Sequence, residues 1–122
     1  MKPQDRLIVA LDVESVEEAR AMVAALGETV SFFKVGMELA YAPGGFDFAR
    51  ELKAAGKRVF LDLKLHDIGV TVERATRQIA RLGVDFLTVH AFPQTMAAAR
   101  ESSGRPIVAR YIRLAIRFFL PR

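Results

Sequence analysis

The sequence predicts an α/β protein of the (β/α)₈ TIM-barrel class, carrying about the first four βα units. Two observations predict it. Hydrophobic spacing switches between period 2 and period 3.6 four times along the 122 residues, the mark of alternating strands and helices in a parallel sheet. Each predicted strand also turns a polar residue to the same face near its C-terminal end, which suits strands whose ends converge on one mouth.

The elements follow in order. Residues 7–13 form an apolar run of strand length. Ser15-Val16-Glu17-Glu18 is a capping box, in which the serine oxygen accepts from first-turn amides and the glutamate folds back. Val16, Ala19, Met22, Val23 and Leu26 then make a helical stripe, and Gly27 ends it. The pattern returns with a strand over 31–37, a helix over 46–55 closed by Gly56, a strand over 58–65, and a helix over 68–82 stopped by Gly83. Ile68, Val72, Ala75, Ile79 and Leu82 form the inward stripe of that helix. A fourth strand over 85–91 and a fourth helix over 93–100 complete the series.

Parity along the strands selects the barrel. Asp12 shares a face with Ile8 and Ala10, Lys34 with Phe32, Asp62 and Lys64 with Phe60, and His90 with Thr88 and Phe86. The opposite faces, led by Leu7, Val9, Leu11, Leu61, Leu63, Leu87 and Val89, are aliphatic and suit a layer of helices. A doubly wound sheet covers both faces with helices and would have to bury those polar ends.

Composition narrows the function. The hydrophobic content of 52% supports a real core for a single domain. No run reaches the roughly 18 apolar residues of a membrane span, and the N-terminus lacks the apolar region of a signal peptide. Zero cysteines remove disulfides and thiolate metal sites, and His66 and His90 alone offer little for zinc. The expected compartment is the cytoplasm, and no metal site is expected. The net charge of +4 belongs to the tail: residues 1–101 hold 13 Lys and Arg against 14 Asp and Glu, while residues 102–122 hold five Arg and no acid. The body is nearly neutral and lacks the interleaved basic and aromatic residues of a nucleic-acid binder.

The segment Asp62-Leu63-Lys64-Leu65-His66-Asp67 concentrates charge at the end of a predicted buried strand. Ionised groups there cost several kcal/mol unless paired, and such clusters gather at active sites. Blander readings exist: Asp67 as the N-cap of the next helix, Asp62 with Lys64 as a structural ion pair, and His90 as a core histidine outside the site.

Together, Ala10-Leu11-Asp12, Phe33-Lys34-Val35-Gly36, the run from Asp62 through Ile68-Gly69-Val70-Thr71-Val72, and Thr88-Val89-His90-Ala91 closely resemble the orotidine 5′-phosphate (OMP) decarboxylase family. The Asp-x-Lys-x-x-Asp element also occurs in related sugar-phosphate enzymes, 3-keto-gulonate-6-phosphate decarboxylase and hexulose-phosphate synthase. Those relatives place a glutamate on the second strand to help hold Mg²⁺, where this chain has Lys34. The resemblance implies conversion of OMP to UMP and CO₂ in pyrimidine synthesis, without cofactor or metal. It implies an alternating charged array of catalytic residues, Lys34, Asp62, Lys64 and Asp67, with Lys64 as proton donor to C6 and Asp62 beside the departing carboxylate. It implies Asp12 and Lys34 on the ribose hydroxyls, and a homodimer in which Asp67, Ile68 and Thr71 reach the neighbouring subunit's site.

The resemblance covers residues from about 6 to about 100, about the first half of a barrel that typically needs about 250 residues. The phosphate-binding elements of the last two strands have no counterpart. The expected division is therefore 1–101, half of the barrel, and 102–122, a divergent basic and apolar tail, as in a truncated product with weak or no activity. Residues 106–109 could supply a fifth strand. Arg110, Arg113 and Arg117 are spaced to share one side of a helix, which makes a membrane or acidic-partner helix an alternative use of the tail. A noncatalytic half-barrel assembly module is the other rival reading.

Overall fold

The computed structural model describes residues 2–102 and the backbone of 108–111. The described residues form two compact units that divide after Asp62, and the strands are hydrogen-bonded in sequence order, β1 to β5.

The first unit opens with a 3₁₀ turn, Pro3–Arg6, and continues through β1 (Val9–Ala10), α1 (Val16–Leu26), β2 (Phe32–Gly36), α2 (Met37–Tyr41), α3 (Gly45–Ala54) and the start of β3 (Arg58–Leu65). The Ser15 side chain caps α1 by accepting from the Glu18 amide at 3.2 Å, as the capping pattern predicts. Pairing is parallel, with Val9 opposite Phe33, Lys34 opposite Phe60, and Gly36 opposite Asp62. Phe33, Val35, Leu39, Phe48, Ala49, Val59 and Leu61 are at most 2% exposed; each large side chain so buried stabilises the fold by about 2 kcal/mol.

Two expectations for this unit are corrected. The first strand is two residues long, because Leu7 closes the 3₁₀ turn and is 53% exposed. The second strand stops at Gly36, and Met37 starts a five-residue helix absent from the sequence reading. The α2–α3 junction is tight: a Cβ on Gly45 would lie 2.0 Å from the Leu39 carbonyl oxygen, so no side chain fits. Lys57 is buried, and its Nζ donates to the carbonyls of Gly27 at 2.9 Å and Val30 at 3.0 Å. These bonds satisfy an ammonium that burial would otherwise penalise.

The second unit holds the end of β3, α4 (Gly69–Ala80), β4 (Phe86–Val89), α5 (Pro93–Ser102) and β5 (Val108–Tyr111). The His90 amide donates to the Leu65 carbonyl at 2.9 Å, tying β3 to β4, and β4 pairs in parallel with β5, Phe86 opposite Val108. Val72, Leu87, Val89 and Ala99 form its apolar interior, with Thr76, Thr88 and Thr95 buried among the polar residues. Helix α4 is shorter than predicted at both ends, and Ile68, not Asp67, is its N-cap, with no side-chain cap hydrogen bond. Arg110 stands in β5, so the predicted tail helix does not include it. Residues 112–122, with Arg113 and Arg117, lie outside the described residues.

Candidate active site

In the first unit the parallel register brings three predicted residues together. Lys34 sits on the middle strand two residues before the Gly36–Asp62 level, and the Leu11 amide donates to the Lys34 carbonyl at 3.0 Å, which places Asp12 just past the end of β1. The Lys34 Nζ lies 3.6 Å from Asp62 Oδ2 and 3.8 Å from Asp12 Oδ1. Both separations exceed hydrogen-bond length, so the ammonium sits between two carboxylates with donor capacity left for a ligand hydroxyl. Burial is unequal: the Asp62 side chain is 14% exposed, Lys34 24% and Asp12 65%. The Asp62 contact is therefore the less screened of the two.

The second unit holds Lys64, Asp67, Ile68 and Thr71. Lys64 has φ of +51°, unlike every other described non-glycine residue. Left-handed backbone costs an L-residue roughly 1–2 kcal/mol, and such strain clusters at functional positions. The Lys64 amide donates to the hydroxyl of Thr88 at 3.0 Å. Asp67 is exposed, and its Oδ1 accepts from the next amide, Ile68, at 2.7 Å; it does not cap the first turn of α4. Ile68 is 69% exposed, Val70 47%, and Thr71 is also exposed.

Sequence reasoning missed an aromatic stack beside these residues. The His66 ring lies 4.6 Å from that of His90 and 4.8 Å from that of Phe92. No periodic signal announces it, because the three residues fall in loops at strand ends. Among the described residues no group of three His, Asp or Glu side chains could hold a metal ion, and no helix is long and apolar enough to cross a membrane. A cavity of about 340 Å³ between α2 and α3 is lined by Tyr41, Phe46, Asp47 and Arg50 among others, and holds none of the predicted site residues.

Residues 5–109 match the Orotidine 5'-phosphate decarboxylase / HUMPS family. The chain belongs to this family. Among the relatives of this chain is the orotidine 5'-phosphate decarboxylase of Bradyrhizobium sp. (strain ORS 278), 63% identical over 106 residues, which are 86% of this chain and 43% of that protein. The Rhodopseudomonas palustris (strain BisA53) enzyme is 59% identical over 104 residues, 85% of this chain and 44% of that one. A crystal structure of orotidine 5'-phosphate decarboxylase from Lactobacillus acidophilus superposes with a TM-score of 0.74 at 39% identity, covering 85% of this chain and 48% of that chain. The fold class is accordingly α/β, of the (β/α)₈ decarboxylase type, and the chain spans less than half the length of the curated relatives it matches.

Proposed function

We propose that the chain carries the N-terminal part of an OMP decarboxylase site, acting on OMP to give UMP and CO₂. The observation that supports this most is the Lys34 ammonium held between Asp12 and Asp62, in a chain 63% identical to a protein named for that reaction. A cation flanked by acids on the second strand suits ribose hydroxyls, to which it donates while the carboxylates accept. The sugar-phosphate relatives share the family, and a lysine where their resemblance calls for a glutamate metal ligand favours the nucleotide reading.

On this reading the bond between C6 and the carboxylate carbon breaks with its electron pair left on C6, and Lys64 Nζ delivers a proton there. The resulting amine regains its proton from water. A preorganised ammonium stabilises the carbanion as charge develops, and this difference between ground and transition states is what accelerates the step. Asp62 lies two residues before Lys64 on β3 and faces the departing carboxylate; its nearness to a like charge destabilises the bound substrate relative to the transition state. Asp67, Ile68 and Thr71, all exposed at the start of α4, suit a contribution to a second subunit's site in a homodimer. The chemistry calls on no cofactor or metal, and the substrate's place is in the cytoplasmic synthesis of pyrimidines.

Binding the remote phosphate supplies much of the energy spent at the reacting carbon in catalysis of this kind, and the family's phosphate elements lie on later strands. The chain alone should therefore release little or no CO₂ from carboxyl-labelled OMP. Adding the C-terminal half of a relative in trans should restore release. An assembled mixture that releases none would overturn the proposal.

A further inference from the structure

We infer that Thr88 is a positioning residue for Lys64. Three observations within the second unit carry this. Lys64 adopts φ of +51°, a conformation that lysine has no intrinsic tendency to hold. Its amide donates to the Thr88 hydroxyl at 3.0 Å, so the backbone turn is met by a side chain projecting from the adjacent strand. Thr88 is 3% exposed, where water is a poor substitute acceptor and a β-branched side chain has few rotamers to leave for.

The flanking geometry explains why the hydroxyl is needed. One residue further on, the Leu65 carbonyl accepts from the His90 amide at 2.9 Å, so β3 and β4 are joined by main-chain pairing immediately after the irregular residue. The positive φ at Lys64 interrupts the regular strand backbone at one position. The Thr88 bond holds the backbone at that residue, and the Leu65–His90 bond holds it one residue further on. Thr88 thereby sets the backbone geometry from which the Lys64 side chain extends. The functional meaning rests on Lys64 as the proton donor; the conformational claim does not, so the two can fail separately.

The test uses the full chain, isotopically labelled for NMR, with Thr88→Val, which keeps the shape and removes the acceptor, and Thr88→Ser, which keeps the acceptor. Thr88→Val should speed exchange of the Lys64 amide by about five- to tenfold, the factor expected for one net hydrogen bond, with Leu87 and Val89 amides as controls. It should also move the Lys64 amide-to-α-proton coupling toward the extended-strand value and shift the Lys64 Cε resonance. Thr88→Ser should retain the parent's values for all three. If Thr88→Val does not fold, Thr88→Ala gives the same reading. Parent-like exchange and coupling without the hydroxyl, a Cε resonance that stays while the backbone moves, or a serine variant that behaves like valine would overturn the inference.

Discussion

Removing the Lys34 charge should destabilise the first unit chiefly through Asp62. At 3.6 Å a unit-charge pair is worth about 4–5 kcal/mol at an effective dielectric of about 20 and about 1 kcal/mol in bulk water. The Lys34 and Asp62 side chains are 24% and 14% exposed, so the pair falls between these limits, and desolvation offsets part of the attraction. A coupling of roughly 1–2 kcal/mol remains. The Asp12 side chain is 65% exposed at 3.8 Å, and its coupling to Lys34 should stay below about 0.5 kcal/mol, as for other screened pairs. Double-mutant cycles with Lys34→Met, Asp62→Asn and Asp12→Asn measure both values by urea denaturation. All three residues lie in one compact unit, so one transition reports on both pairs. An Asp12 coupling as large as that of Asp62, or a Lys34→Met chain more stable than the parent, would refute the reasoning.

Thr76 is fully buried and its hydroxyl is the buried side-chain polar atom without a partner among the described residues; Thr76→Val should stabilise by about 1 kcal/mol in the same assay. Gly45→Ala should cost at least about 2 kcal/mol, since its Cβ would meet the Leu39 and Ala40 carbonyl oxygens at 2.0 and 2.4 Å; a parent-like denaturation midpoint would contradict the close approach of α2 and α3. The Ser31 hydroxyl donates to Asp5 at 2.9 Å and, with the Lys2 amide and the charges of Lys2 and Arg58, holds the Asp5 carboxyl below its ordinary value of 3.8. A lowered carboxyl contributes stability above its unfolded value and loses it as pH falls through the folded one. The gap between parent and Ser31→Ala should therefore be constant above about pH 5 and shrink below about pH 4; a gap that widens on acidification would reverse the sign.

The sheet and its helices were legible because the two periods differ so clearly. Ser15 announced α1, and Gly56 and Gly83, at φ of +76° and +73°, marked the ends of two helices where only glycine sits without strain. Helix α2 was not legible: Gly36 offers no side-chain cap, and Met37 to Tyr41 is a single turn and a half that continues an apolar strand. The burial of Lys57 depends on carbonyls some 27 and 30 residues distant, which no local pattern encodes. At the site, residue types and spacing marked Asp12, Lys34 and Asp62, and pairing of β1, β2 and β3 then set their distances. The turn at Lys64 was invisible, because lysine carries no signal for left-handed backbone and the acceptor that meets it comes from another strand.

The central claim is that Lys64 protonates the carbon from which CO₂ departs. The direct measurement is CO₂ release from carboxyl-labelled OMP, with UMP affinity in parallel, for the chain complemented by the C-terminal half of a relative and carrying Lys64 or Lys64→Ala. The account predicts that the alanine variant loses more than about a hundredfold in turnover, the scale of a positioned proton donor, and retains UMP binding. Turnover above about a hundredth of the parent, or loss of UMP binding without a separate loss of chemistry, would contradict it.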